Sequence, residues 1–338
     1  MTDTTNDEPT TIIHRSANAH EAQSTDDIVA MTEPAAMSAD AEAPRVAQES
    51  RWVSVSRAFR TAPMTAWFGM ITIAIYIIVA VLAPVLAPFG EREIIGAQFE
   101  EPNATYLLGT DNLGRDMLSR LIYAARNTVG IALITTFISF MLGGFLGMLA
   151  ATFGGWVDQI LSRIIDVLMS IPSLIFALLA LTVANTWIGR MDNPSPWIYT
   201  AALILIMAVL DSTRVFRLTR AVAMNIVVMD YVEAARLRGE GLWYIIRREI
   251  LPNASAPLIA EFGLRFCFVF LTISALSFLG LGVQPPTADW GSMVRDNATL
   301  ISFGVAVPLY PAGAIALLTV AVNFVVDWML HRSSGLKD

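Results

Sequence analysis

From residue 64 onward, long apolar runs alternate with shorter polar stretches. The run 64–87 is almost wholly apolar, and comparable runs appear at 127–153, 164–187, 197–212, 258–281 and 303–329. About 20 consecutive apolar residues cross a bilayer as a helix. The pattern therefore predicts an all-α polytopic membrane protein with six transmembrane helices.

The most structured polar stretch is 233–252, EAARLRGEGLWYIIRREILP, between two long apolar runs. Asp230 is placed to cap a helix starting at Tyr231, with Glu233 three residues on as its capping-box partner. Gly239 and Gly241 break that helix. A second short helix over 242–250 then carries Ile245, Ile246 and Ile250 on one side, and Pro252 stops it. The product is a helix–turn–helix lying parallel to the membrane. Its small Ala234 and Ala235 suit seating in a partner's groove; an amphipathic interfacial loop is the plainer alternative.

Small residues and prolines punctuate the spans. Gly143 and Gly147 stand at GxxxG spacing, which allows close backbone approach. Pro172 kinks the third span, either as a gate or path element or as a tolerated structural kink. Glu261 and Arg265, four apart, read as an intrahelical pair near the inner end of the fifth span, and Asp211 with Arg214 reads similarly. No central charge remains, so no cargo site is legible.

Composition agrees with a membrane protein. The 338 residues are 55% apolar and 15% charged, against about 45–50% and about 25% in soluble domains. The net charge of −7 belongs to the tail: residues 1–50 hold ten acidic side chains against two arginines, and the remainder is nearly balanced. Lacking aromatic residues and rich in Ala, Thr, Ser, Asp and Glu, residues 1–50 are predicted to be a disordered acidic tail. A basic lead-in, 51–63, comes next with Arg51, Arg57 and Arg60. The membrane domain is 64–330, and 331–338 form a C-terminal segment.

Arginine asymmetry sets the topology. The stretch 212–255 carries seven arginines, whereas 188–196 and 282–302 carry one each. The positive-inside rule then puts both termini of this multi-pass protein in the cytoplasm. The stretch 88–126 is the exception, with four arginines beside six acids.

Several chemistries are absent from the pattern. One cysteine, Cys267, forms no intrachain disulfide. Three histidines, at 14, 20 and 331, make no clustered metal site. The lone lysine, Lys337, provides no GxxxxGK[ST] phosphate loop, so no cofactor is expected on this chain. Nothing marks nucleic-acid binding.

Four colinear blocks carry a resemblance. They are LLGTDNLGRDMLSRLIYAARNTVG (107–130), AATFGGWVDQILSRIIDVLMSIPSL (150–174), the stretch 233–252 and LSFLGLGVQPPTADWGSMVRD (276–296). Together they closely resemble the C-type permease subunit of the dipeptide/oligopeptide/nickel family of ABC importers, over residues 52–328. The resemblance implies the type I importer permease fold in the inner membrane of a bacterium, with a set of partners and sites. A related permease subunit pairs with this one in the lipid membrane, two ATPases carrying ATP-Mg sit beneath, and an extracytoplasmic solute-binding protein sits above. Glu233, Ala234, Ala235, Gly239, Leu251 and Pro252 match the family's ATPase-coupling loop. Leu108, Gly109, Thr110, Asp111, Gly114, Arg115 and Asp116 match its outer LGTDxxGRD block, in which Arg115 and Asp116 read as a local salt bridge. Gly280 and Gly282 match a hinge or close-packing point at a span end, with Pro285 and Pro286 after them as a stiff exit. Trp290, suited to the interface, and Gly291 complete that block.

There are departures: Glu249 stands where the family often has histidine, and the ending NFVVDWMLHRSSGLKD matches the family only at Asn323 and Asp327. The expected function is a non-catalytic permease subunit of a binding-protein-dependent importer for di- or oligopeptides. Nickel chelates, opines or oligosaccharides are alternative cargoes. A gradient-driven carrier is the rival transport class, and the lack of central acids or histidines argues against it. An intramembrane enzyme lacks a positioned nucleophile and base.

Overall fold

The computed structural model describes residues 62–333, so the acidic tail, all but the end of the basic lead-in and most of the C-terminal segment lie outside the described residues. In chain order the elements are α1 (Met64–Leu86), α2 (Met117–Phe153), α3 (Gly155–Ser170), α4 (Ser173–Ile188), α5 (Pro196–Val227) and α6 (Asp230–Leu237). They continue with α7 (242–278), α8 (Trp290–Asn297), a 3₁₀ segment (Ala298–Phe303) and α9 (Leu309–Ser333). Among the described residues, five helices are long and apolar enough to span a membrane, or six if the bent pair α3–α4 is one span. Extended structure there is limited to isolated bridges joining Ile94 to Arg115 and Thr110 to Asp116.

Several boundaries move from the sequence expectation. Helix α2 begins ten residues before the apolar run, because Asp116 caps it: the carboxylate accepts from the Ser119 amide at 2.7 Å. Such a cap contributes about 1 kcal/mol. Helix α5 continues well past residue 212, so Arg214, Arg217 and Arg220 lie on a helix and not in a polar loop. The third span is two helices at 89°, broken at Ile171–Pro172. Proline there cannot donate a ladder hydrogen bond, and its fixed φ suits the start of α4.

The principal packing is α2 against α5. A Cβ at Gly143 would run into the Ser212 carbonyl, and one at Gly147 would lie 2.8 Å from the Phe216 carbonyl oxygen. The two glycines thus let the helix backbones touch. The main core joins α2, α4, α5, α7, α8 and α9 around Met117, Leu181, Leu203, Phe270, Trp290 and Leu318. Phe266 and Phe270 stack at 5.9 Å between centroids. We call the end of the bundle holding residues 88–116 and α8 the head, and the end holding α6 the foot.

Candidate functional site

At the foot, the chain leaves α5 and enters α6 through Met229, whose extended backbone (φ −79°, ψ 145°) makes it the N-cap. No side chain caps this helix, so the expected Asp230–Glu233 capping box is not formed: α6 starts at Asp230 itself. Both acids sit in the first turn, where the helix dipole favours them.

The helix is amphipathic over two turns. Val232 and Ala235 are fully buried against Ile245, Ile246 and Ile250 of α7, with Met148 and Ile226 completing the cluster. Glu233 and Ala234 face away, and Leu237 is 82% exposed. The Glu-Ala-Ala trio is therefore divided: Ala235 seats the helix and the other two residues present its outer face.

The turn after α6 explains Gly239. Its amide donates to the Arg236 carbonyl at 2.9 Å, and that of Glu240 donates to Ala235 at 3.2 Å. This is the Schellman arrangement, which needs a left-handed residue; Gly239 has φ +80° and open space around its Cβ position. Backbone conformation, not lack of room, selects glycine.

The expected second short helix is instead the start of a long one. Leu242–Tyr244 opens a helix, Ile245–Ile250 is π-helical, and Leu251–Phe278 is α-helical, forming one continuous 37-residue element, α7. Pro252 does not stop it. The Leu251 amide reaches back to Ile246, five residues away. That widened ladder puts Pro252 at the opening of the α-helical part, where a missing N–H is tolerated. The foot is thus one short helix docked on the base of a membrane-length helix, not two surface helices.

At the head, Asp111 is the hub of a buried ionic knot. Its Oδ2 lies 2.7 Å from Arg115 Nη2 and 3.2 Å from Arg120 Nε, and its Oδ1 accepts from the Leu113 and Arg115 amides at 2.9 and 3.0 Å. Arg115 therefore pairs with Asp111 and not with Asp116, which is occupied as the α2 cap. Thr110 Oγ1 donates to the Ala97 carbonyl at 2.6 Å and accepts from the Glu100 amide at 2.8 Å. Gly109 and Gly114, at φ +74° and +73°, lie against the Glu100 and Gly96 carbonyls.

The two head blocks meet on α2. Glu91 Oε1 accepts from the Ala288 amide at 2.5 Å and from Asn127 Nδ2 at 3.1 Å. Asp289 Oδ2 caps α8 by accepting from the Ser292 amide at 2.8 Å, and Thr128 Oγ1 donates to its Oδ1 at 3.2 Å. Burial pushes the Asp289 carboxyl above the ordinary carboxylate range, outweighing those hydrogen bonds, which act in the opposite direction.

Trp290 is 2% exposed and not at an interface. Its Nε1 donates to the Leu121 carbonyl at 3.1 Å, and its ring meets Tyr76 and Phe270 edge to face. Gly291 lies against the Ser274 carbonyl and Gly282 against Ser277. Gly280 has φ +88°, and the Pro285–Pro286 bond is cis. Arg120, Glu91, Asn127 and Asp289 escaped the sequence reading. Arg120 alone left a signal, being one helical turn beyond Asp116.

A third constellation overturns the reading that no central charge exists. Asp211, 3% exposed at the middle of α5, accepts from Ser139 Oγ of α2 at 2.9 Å. Its Oδ1 lies 3.9 Å from Arg214 Nη1 and 3.8 Å from Arg265 Nη1 of α7. The Glu261–Arg265 pair is present at 2.7 Å. Because α7 is continuous from Leu242, that pair lies within the helix and not near its inner end.

Comparison with known proteins completes the picture. Residues 143–334 match the family model described as binding-protein-dependent transport system inner membrane component. Residues 50–104 match the model for the N-terminal TM domain of oligopeptide transport permease C. The chain belongs to this permease family. The dipeptide transport system permease protein DppC of Haemophilus influenzae is 33% identical over 280 residues, 81% of this chain and 88% of that protein. The di/tripeptide transport system permease protein DppC of Pseudomonas aeruginosa is 34% identical over 277 residues, 80% and 85%. A crystal structure of an amino acid ABC transporter with histidines covers 64% of this permease at 19% identity and a TM-score of 0.48. The resemblance carried by the four sequence blocks, the helical type I permease fold and the role of importer permease are borne out by the family match. Membership in the family, and not a lack of central charge, decides against a gradient-driven carrier.

Proposed function

We propose that this permease forms half of the translocation path of an ATP-driven importer for di- or oligopeptides. In this reading the foot faces the cytoplasm and seats on an ATPase through the outer face of α6. Glu233, Ala234 and Leu237 are the contact residues, Ala235 and Gly239 hold the helix in place, and Leu251 and Pro252 join it to α7. A second permease subunit completes the path, two ATPases bind and hydrolyse ATP-Mg, and a solute-binding protein delivers cargo at the head. The chain itself contributes path and coupling.

The observation that carries this reading is the exposed face of α6 on a buried platform. Leu237 is 82% exposed and Trp243 62%, while the residues beneath them are fully buried. An apolar rim raised on a rigid base is what a partner's groove can grip. The names of the two relatives support a peptide cargo. The test is co-purification of ATPase subunits after detergent extraction, with Leu237→Asp and Gly239→Asp as variants, alongside dipeptide uptake into cells. Loss of the ATPases from folded Leu237→Asp is the expected result. Undiminished co-purification of both variants would refute the docking role, and a wild-type importer that takes up no peptide would refute the cargo.

A further inference from the structure

The charge cluster on α5 and α7 has features that packing alone does not require. At 1.5 Å per residue, Arg214 lies about 27 Å along α5 from Pro196 and about 20 Å from Val227, and Arg265 about 20 Å along α7 from Phe278. Both therefore lie well inside these helices, which at 32 and 37 residues are longer than a bilayer core is thick. Yet Arg214 is 43% exposed, Glu261 22% and Arg265 12% on the side of the bundle. Charged groups at this depth are costly against lipid and face protein or a water-filled cavity.

The arginines are also under-used. Both lie 3.8–3.9 Å from the same buried Oδ1 of Asp211, beyond direct hydrogen-bond distance. Arg214 Nη2 reaches Ser173 Oγ of α4 only at 3.4 Å. Arg265 Nε is close to Glu261 but lacks hydrogen-bond alignment and is otherwise unpartnered. A guanidinium offers five donors in a planar fork; Arg214 makes one long hydrogen bond, to Ser173, and Arg265 one close ion pair, to Glu261. Ser173, Asp211, Arg214, Phe268 and Thr272 line a notch between α4, α5 and α7. Arg265 lies 4.8 Å over the ring of Phe268, which itself lines that notch.

We propose that Arg214 and Arg265, held by Asp211, form a carboxylate-binding station at mid-path that takes the C-terminal carboxylate of a passing peptide. Bidentate pairing of a fork-shaped donor with a planar carboxylate is the chemistry that fits. Asp211 and Glu261 together balance the two cations, so binding stays weak enough for release. The inference rests on the peptide-import reading.

The test uses the assembled importer in proteoliposomes with its ATPases and binding protein. Uptake of a dipeptide is compared with uptake of the same dipeptide bearing a C-terminal amide. In wild type, the free acid is expected to be transported at least several-fold faster at saturating loaded binding protein. Arg214→Gln should remove most of that preference while subunit stoichiometry holds, and Arg214→Lys should restore part of it. Separately, Thr272→Cys in a Cys267→Ser background should react with a charged, water-borne thiol reagent.

Equal loss for acid and amide, no change in the preference, or dissociation of the second permease on Arg214→Gln would each overturn the station. Dissociation would make Arg214 an interface residue instead. Failure of Thr272→Cys to react would overturn it too, by putting this face against lipid. Wild type that transports neither peptide would sink the peptide reading as well, whereas normal uptake with an unchanged preference sinks only the station.

Discussion

The contact between α2 and α5 depends on the absence of side chains at one point, and that dependence can be measured. An alanine Cβ at Gly147 would lie 2.8 Å from the Phe216 carbonyl oxygen, 2.9 Å from Thr219 Cβ and 3.0 Å from the Arg220 nitrogen. Comfortable contact begins near about 3.5 Å, so the helices must separate by roughly 0.6 Å, enough to forfeit about a quarter of the dispersion attraction between facing atoms. Two of the three obstacles are backbone and cannot swing aside. Overpacking costs about 1–3 kcal/mol, and the better helix propensity of alanine offsets about 1 kcal/mol. Gly147→Ala is therefore expected to destabilise the permease by about 0–2 kcal/mol after that offset.

Gly144 provides the control. No atom lies within 4 Å of its Cβ position, so Gly144→Ala keeps only the propensity gain of about 1 kcal/mol. The single cysteine of the chain supplies the assay, because Cys267 is 5% exposed when folded. Thermal unfolding in detergent can be monitored with a thiol-reactive fluorogenic maleimide. At about 2–4 °C per kcal/mol for a chain of this size, Gly147→Ala should melt up to about 8 °C below wild type and Gly144→Ala about 2–4 °C above it. Equal shifts of the same sign would refute the close-approach argument.

The head and foot yield further expected outcomes. Asp111→Asn leaves Arg115 and Arg120 without their buried anion and is expected to cost about 3–5 kcal/mol, seen as a large fall in the same melting assay; a loss under about 1 kcal/mol would mean water reaches the knot. Asp116→Ala removes the α2 cap and should cost about 1 kcal/mol, with Asp116→Ser recovering most of it in that assay. Because burial raises the Asp289 carboxyl, the folded chain holds that proton more tightly than the unfolded one. This stabilisation is fully present at pH below the ordinary carboxylate range and fades as pH rises through the raised folded value. Asp289→Asn, which cannot ionise, should flatten that part of a melting-temperature profile against pH. Gly239→Ala strains a left-handed backbone at about 1 kcal/mol, yet nothing surrounds its Cβ, so circular dichroism of the variant should match wild type.

Coarse organisation was legible because apolar runs of bilayer length have few other uses. The Gly143–Gly147 pair was legible for a similar reason, since its spacing puts both residues on one face. Boundaries failed where tertiary partners absorb charge: α2 runs through Arg120 because Asp111 receives it, and α5 runs through Arg214 because Asp211 stands one turn earlier. Pro252 misled because a proline ends a regular ladder, whereas here the preceding π segment has already shifted that ladder. Trp290 misled because its N–H finds a carbonyl inside the fold, so it does not need the membrane surface. The central charges were invisible as a group, since Ser139, Asp211 and Arg265 come from three helices that only folding brings together.

The continuity of α7 gives the molecule a single mechanical member. The same rod carries the bearing surface for α6 at Ile245–Ile250, the Arg265 guanidinium at its middle, and the Ser274–Ser277 seat for Gly291 near the head. Its hydrogen-bond ladder is irregular at two places near the foot, the π-helical turn 245–250 that is itself the bearing and Pro257 just beyond it. A displacement of the foot would therefore reach the head through one continuous helix, with no relay between separate parts. The stiffness of residues 245–257 sets how much of a displacement at the foot would reach the head.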